Sequence, residues 1–548
     1  MPLKKWSRRR MLRVSAGAIF SNALLPQLHA ADAGLKSQGK KGAVIGEPTA
    51  ENVGLEILAA GGNAVDAAVG AALAASVASP HNCGPGGYGG HMVIALAKSK
   101  RVMAIDFNSA APQLARENMF GDANGGIRSN EWKHGWLAAG VPGTLAGMQL
   151  ALDRYGTRPF RDAVAPAIRL ARDGFVIGPG LAAALRGSEK HLLTDPASAR
   201  LIQKDGRLLR EGEMFRNPDL ATMLEDLAKR NSVESFYRGE IARRIAAEFE
   251  KHDGLLRLED LVNYRAREVT PLKLEWGRFQ IWTAPLTAGG MTVLEALSIL
   301  KALDWRRIAD ASQKTHARLE ALRVAWQDRL RLLGDPERAA VPVERLLSRN
   351  YANKWSREIR AAIRSRIPVS LSSEPRAQDG TVHLSSVDRQ GNMVALTLTH
   401  GEGFGARVTV DGLGLTLGHG MSRFEPRPGH PNSPGPGKRP LHNMCPTVVW
   451  RDGKPVLALG GAGGRRIPNA IFDVLTRYII LGETMEDAIK APRLHCEGGL
   501  NVQVERAWPQ AEIDSLRSIG YQVQTGGSAR VSAVSFDPRA RECGAAVR

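Results

Sequence analysis

At 548 residues, with 43% hydrophobic and only 5% aromatic residues and 58 glycines, the chain is long enough for a large merged core or several domains, and its composition excludes a disordered or fibrous protein. The formal charge of +19 falls to +13 when the first 30 residues, with six lysines and arginines and no acid, are set aside. No basic stripe interleaves with aromatics and no uninterrupted apolar run reaches about 18 residues, so neither a nucleic-acid partner nor a membrane-spanning helix is predicted, and the positive surface suits small anionic substrates.

In chain order, Ser7-Arg8-Arg9-Arg10-Met11-Leu12-Arg13 resembles a twin-arginine export signal, followed by a modest apolar run over 14–25 and small residues around 30–33. This predicts a signal peptide over 1–33, cut somewhere within 30–33, and a periplasmic destination. Helical periodicity covers 50–60 and 64–79, with Gly61-Gly62 as the stop between them. The second helix is Ala-rich and reads as buried. The glycine-rich stretch 80–90 lacks the Gly-Lys-Ser/Thr of a phosphate cradle and runs into a strand over 92–96, so a tightly packed turn is expected. Helices alternate with loops from 143 to about 364, and the polar, proline-containing stretch 366–380 reads as an exposed linker. The four cysteines, Cys83, Cys445, Cys496 and Cys543, are widely spaced, without metal-site spacing, and read as buried free thiols. No metal and no cofactor is predicted.

From Thr381 the texture changes to strands. Residues 383–387 and 393–399 alternate with period two around Asp388-Arg389-Gln390-Gly391-Asn392, a hairpin signature. A five-residue loop centred on Gln390 places Thr381 opposite Thr399, where directly opposed Cβ atoms stand about 4.5–5.5 Å apart. Such a pair of hydroxyls is common decoration as well as a possible site.

Gly61-Gly62-Asn63-Ala64-Val65-Asp66-Ala67-Ala68, Gly140-Val141-Pro142-Gly143-Thr144, Leu170-Ala171-Arg172-Asp173-Gly174, Leu258-Glu259-Asp260-Leu261, Ala288-Gly289-Gly290, Leu333-Gly334-Asp335-Pro336, Thr381-Val382-His383-Leu384-Ser385 and Gly460-Gly461-Ala462-Gly463-Gly464 occur in this order. Over about residues 40–545 the chain thereby resembles the γ-glutamyltransferase family of N-terminal-nucleophile hydrolases. The resemblance implies an α/β fold, a four-layer αββα sandwich, made as a precursor that cuts itself between Gly380 and Thr381 into a large chain (34–380) and a small one (381–548). It implies that Thr381 is the nucleophile, that Thr399 orients it, and that Gly463 and Gly464 hold the oxyanion. The chemistry is coherent: a hydroxyl needs a base, and a new α-amine, titrating near about 7.7–8.0, supplies one in the same residue. Glycine before the scissile bond keeps that bond adaptable. Backbone amides of Gly463 and Gly464, before a helix-like run over 467–480, suit a developing oxyanion.

The departures fall on substrate recognition. Where the family has an arginine after Asp-Phe, Asp106-Phe107 is followed by Asn108. An aspartate before Phe is replaced by Arg423 before Phe424. A serine pair after Arg-Pro-Leu becomes His442-Asn443 after Arg439-Pro440-Leu441. Gly401, beside His400, takes the place of an asparagine. Exchanging carboxylate for guanidinium inverts the charge offered to a donor and favours a carboxylate over an ammonium. Asn108, Arg423, His442 and Asn443 are therefore the expected substrate-binding residues. The donor is expected to be a carboxylated amide other than glutathione (a dicarboxylate monoamide, an oxamate-like amide or an N-acyl compound), with water or an amine as acceptor. A conventional γ-glutamyltransferase or glutathione hydrolase is the alternative, and an exported binding protein on the same scaffold is a third reading.

Overall fold

The computed structural model describes residues 35–37, 41–122, 126–371 and 381–548. The expected signal peptide over 1–33, its cleavage site within 30–33, and Gly380 on the far side of the expected scissile bond lie outside them.

Two antiparallel sheets form the centre. One has six strands in the order Gly42–Ile45, Val382–Asp388, Met393–Thr399, Gly89–Leu96, Arg101–Asp106, Arg267–Val269. The other has seven, in the order Leu35–Ser37, Glu542–Val547, Arg530–Asp537, Lys454–Ala462, Thr447–Arg451, Phe279–Thr283, Leu272–Trp276. They pack face to face through small and β-branched residues, among them Val93, Ala95, Ala395, Val448, Ala458 and Val534.

Because side chains alternate across a strand, each central strand has a second buried face. In Met393–Thr399, Met393 and Ala395 enter the inter-sheet core, while Val394, Leu396 and Leu398 meet the helical layer containing Ala64–Ala78 and Phe160–Asp173. The outer face of the seven-stranded sheet is covered by Gly290–Leu303, Ala311–Leu332 and Arg466–Leu475. The layering is αββα, the four-layer sandwich that the family resemblance implies.

Helix 64–78 shows why this sequence folds so. Alanine and valine on every side leave no polar stripe, and each residue up to Val77 is buried. Its N-terminus is held by Asn63, whose Oδ1 accepts from the amides of Val65 and Asp66, while Asp66 Oδ2 accepts from Asn63 N at 2.8 Å, a reciprocal capping box. Asp66 also accepts from the amides of Thr157 and Arg158. Asp388, the last residue of strand Val382–Asp388, takes the Ala64 amide at 3.1 Å, which ties this helix to the strand that follows Thr381.

The glycine-rich stretch is packed backbone, as expected. An added Cβ at Gly86 would come within 2.5 Å of Thr416 O, and at Gly89, with φ +105°, within 1.9 Å of Phe107 O. All four cysteines are free and buried. Among the described residues no helix is long and apolar enough to cross a membrane.

Candidate active site

The hairpin register is the one read from the sequence. Val382 pairs with Leu398, His383 with Thr397, and the ladder continues to Val387 with Met393. One step beyond Val382, the same register carries Thr381 opposite Thr399. By alternation both share the inter-sheet face with His383 and Thr397. Thr381 and Thr399 are buried, with relative exposures of 8% and 1%. Thr399 Oγ1 accepts the Gly401 amide at 2.7 Å, fixing the chain as it leaves the strand.

Beneath this pair lies His383. Its Nδ1 is 2.8 Å from Thr397 Oγ1 and its Nε2 is 2.9 Å from Ser385 Oγ. Burial lowers its pKa to about 3, so the ring is neutral at ordinary pH. The facing strand accommodates it with Gly460, where an added Cβ would lie 2.2 Å from His383 Cε1.

That strand, Lys454–Ala462, ends at Gly463 and Gly464, both with positive φ (+137° and +58°), and helix Arg466–Leu475 begins two residues later. Gly463 O accepts from Arg466 N and Gly464 O from Ile467 N. The glycines thus occupy a strand-to-helix turn at a helix N-terminus, where backbone N–H groups favour negative charge.

A cavity of about 400 Å³ opens beside these elements. Its wall includes Glu402, which follows Gly401 in the chain, and Arg465, which follows Gly464; Thr381, Thr399, Gly463 and Gly464 are not part of the lining. Arg423 and Asn443 line it, as do Trp326 and Arg329, which the sequence reading did not single out. The available signal was spacing: Trp326 and Arg329 stand three apart on helix Ala311–Leu332, on one side of it.

Arg423 is nearly buried. Its Nη2 donates to His419 Nε2 at 3.0 Å, and His419 Nδ1 donates to Lys133 O at 3.2 Å; because the carbonyl only accepts and the guanidinium only donates, the tautomer is fixed. Burial and then Arg423 hold the His419 pKa well below its usual value. Among the described residues Arg423 Nε has no partner. Arg329 donates through Nη2 to His442 O at 2.7 Å and Asn443 Oδ1 at 3.1 Å, and its Nη1 has no partner among the described residues. Burial, followed by the nearby Arg465, lowers the Arg329 pKa to about 10.

Asn108 and His442 do not line this cavity. Asn108 is fully buried, its Nδ2 donating to Thr287 Oγ1 and Pro440 O at 2.6 and 2.7 Å. His442 lies behind Asn443 in a buried chain. Its Nε2 is 2.8 Å from His91 Nδ1, and His91 Nε2 faces Asp106 Oδ1 at 3.3 Å. Burial pushes the Asp106 carboxyl up, but Arg439, His91 and Arg267 outweigh it and hold it well below the usual range. An ionised carboxylate favours a proton on His91 Nε2; His442 Nε2–H then donates to His91, leaving His442 Nδ1 a buried lone pair without a partner. Arg439, which secures Asp106, is itself placed by its amide donating to Asp335 Oδ2 at 2.9 Å; this gives the Leu333-Gly334-Asp335-Pro336 motif its physical task. Among the described residues no cluster suited to a metal ion occurs.

A family model described as gamma-glutamyltranspeptidase matches residues 50–548. The chain belongs to the γ-glutamyltranspeptidase family. It is 36% identical over 536 residues to the glutathione hydrolase proenzyme of Escherichia coli strain K12, covering 93% of this chain and 91% of that protein. It is 32% identical over 524 residues to the Acylase ACY 1 proenzyme of Pseudomonas sp. strain SE83, covering 93% and 92%. The crystal structure of a cephalosporin acylase from Bacillus halodurans matches it with a TM-score of 0.84 at 29% identity, covering 95% of this chain and 97% of the other. The chain is accordingly a hydrolase or acyltransferase of this family, which settles the enzyme reading over that of a bare binding protein.

Proposed function

We propose that the chain is exported to the periplasm, cuts itself between Gly380 and Thr381, and then acts as an N-terminal threonine amide hydrolase or acyltransferase on a carboxylated donor other than glutathione. The proenzyme names of its relatives support the two-chain form, 34–380 and 381–548. Cleavage frees the Thr381 amine, which takes the Oγ1 proton as Oγ1 attacks the donor carbonyl. Thr399 orients the nucleophile, and the amides of Gly463 and Gly464 hold the oxyanion. As the tetrahedral species collapses, the Thr381 ammonium returns its proton to the leaving nitrogen, the amine departs, and water or an acceptor amine, deprotonated by the freed Thr381 amine, resolves the acyl-enzyme.

The observation that carries the donor reading is Arg423: buried in the cavity wall, hydrogen-bonded to a neutral histidine, and paired with no carboxylate among the described residues. A buried charge without a partner is costly, and an anionic donor compensates it. An α-ammonium there would be repelled. The acylase names among the relatives are in keeping with a donor of this kind. The opposing reading, a conventional glutathione hydrolase, draws on the 36% identity to the Escherichia coli protein.

Assaying γ-glutamyl-p-nitroanilide against a panel of dicarboxylate monoamides decides between them. The proposal expects higher kcat/KM for the monoamides, and a strong preference for the γ-glutamyl donor overturns it.

A further inference from the structure

Arg329 presents the same physical problem as Arg423, in the same cavity. Its guanidinium is buried, with 4% relative exposure, and its Nη2 hydrogen bonds go to a backbone carbonyl and an amide oxygen, both uncharged. No carboxylate among the described residues pairs with it, and its Nη1 donor is unsatisfied. Arg423 Nε, in the same lining, has no partner among the described residues either.

The other charges of the cavity do not cancel these two. Lys133 and Arg465 add positive charge, and Glu402 and Glu425 supply the carboxylates. Arg465 is paired outside the cavity with Glu497, at 2.6 Å. With Arg465 offset by Glu497, the lining cations Lys133, Arg329 and Arg423 face the two carboxylates, an excess of one positive charge.

Proteins rarely leave buried guanidinium donors empty, because each forgoes its hydration without compensation. Two buried guanidiniums in one cavity lining, each without a carboxylate partner among the described residues, call for two negative groups on one ligand. Trp132 and Trp326, on the same lining, supply flat apolar surface, and the Arg329 guanidinium lies over the Trp326 ring at 5.8 Å. Trp326 is itself held by Nε1 donating to Asn469 Oδ1 at 2.6 Å, from the helix that follows the Gly463-Gly464 turn.

We infer that Arg329 is a second anion-binding residue and that the cavity takes a dianionic amide donor, one negative group opposite each of Arg329 and Arg423. The inference rests on the anionic-donor reading above and deepens it: Arg423 selects a carboxylated donor, and Arg329 distinguishes two charges from one.

The test uses the full-length, processed enzyme and four amides. Butyryl-p-nitroanilide is neutral, and glutaryl-p-nitroanilide carries one carboxylate. Glutaryl-4-aminobenzoate carries one on each side of the amide, and tricarballylyl-p-nitroanilide carries both on the acyl side. At least one dianion is expected to show a KM about tenfold or more below that of glutaryl-p-nitroanilide, in line with a charge-assisted hydrogen bond. Arg329→Met is expected to abolish that ratio through KM rather than kcat, and Arg329→Lys to restore part of it. Should Arg329→Met fail to accumulate in processed form, the ratio measured for Arg329→Lys against the wild type decides, and an unchanged ratio overturns the inference. Absence of any dianion preference in the wild type, or the same preference in Arg329→Met, also overturns it. Arg423→Met separates the two claims. If it leaves discrimination between the neutral and glutaryl amides intact, the donor reading fails; if it removes that discrimination while Arg329→Met leaves the dianion ratio unchanged, only the present inference fails.

Discussion

The Gly401 amide donates to Thr399 Oγ1 at 2.7 Å, so the hydroxyl expected to orient the nucleophile also secures the turn leading to the cavity wall at Glu402. Thr399→Val keeps the shape but removes the acceptor and strands a buried N–H, at a cost of about 1–3 kcal/mol. Thr399→Val is expected to lower kcat by about 10²-fold or more and to slow self-cleavage, whereas Thr399→Ser retains most of both. Single-turnover kinetics and gel analysis of the precursor check this; equal activity of the Val and Ser variants would show that the hydroxyl is dispensable.

Gly460 faces the His383 ring, and that ring is held on both sides by hydroxyls. Gly460→Ala sets a methyl into space the imidazole cannot leave without breaking those contacts. Overpacking of this kind costs about 1–3 kcal/mol. Thermal or denaturant unfolding is expected to show the loss, and wild-type stability in Gly460→Ala would contradict the packing described.

Gly463 combines φ +137° with a position where an added Cβ would meet Ala529 Cα at 2.9 Å. Gly463→Ala therefore displaces the turn whose amides are proposed to hold the oxyanion, and about 10²–10³-fold is expected to be lost from kcat. Normal kcat in this variant removes Gly463 from the mechanism.

Several histidines are held neutral by burial. The pKa values of His81 and His91 are lowered to about 4 and those of His383 and His400 to about 3. In the unfolded chain each titrates near about 6.5. Below that pH the unfolded state binds more protons than the fold, so stability is fully present above about pH 6.5 and is lost as pH falls toward 4. Each histidine contributes up to about 1.4 kcal/mol per pH unit in that window. Denaturant midpoints between pH 7 and 4 are expected to fall steadily; a flat profile contradicts neutral buried histidines.

The sequence carried the hairpin and the glycine turn because these are local: alternation, loop length and the helix-like run after the glycines are written in neighbouring residues, whereas the layer architecture was implied by the family resemblance alone. The register pairing Val382 with Leu398 follows from a loop centred on Gln390. The cavity wall was harder to read. Asn108 and His442 occupy positions where substrate contacts were expected, yet their polar atoms engage Thr287, Pro440 and His91, partners far away in the chain. Arg329 was overlooked for the converse reason: Arg318, Arg323 and Arg329 on one helix are all buried, and nothing local tells which of the three reaches the cavity.

The most direct measurement is N-terminal sequencing, with intact mass, of the purified mature protein and of Thr381→Ala. Two fragments are predicted for the wild type, the smaller beginning at Thr381, and one uncut chain without activity for the variant. An uncut wild-type polypeptide that nevertheless hydrolyses amides would contradict the account.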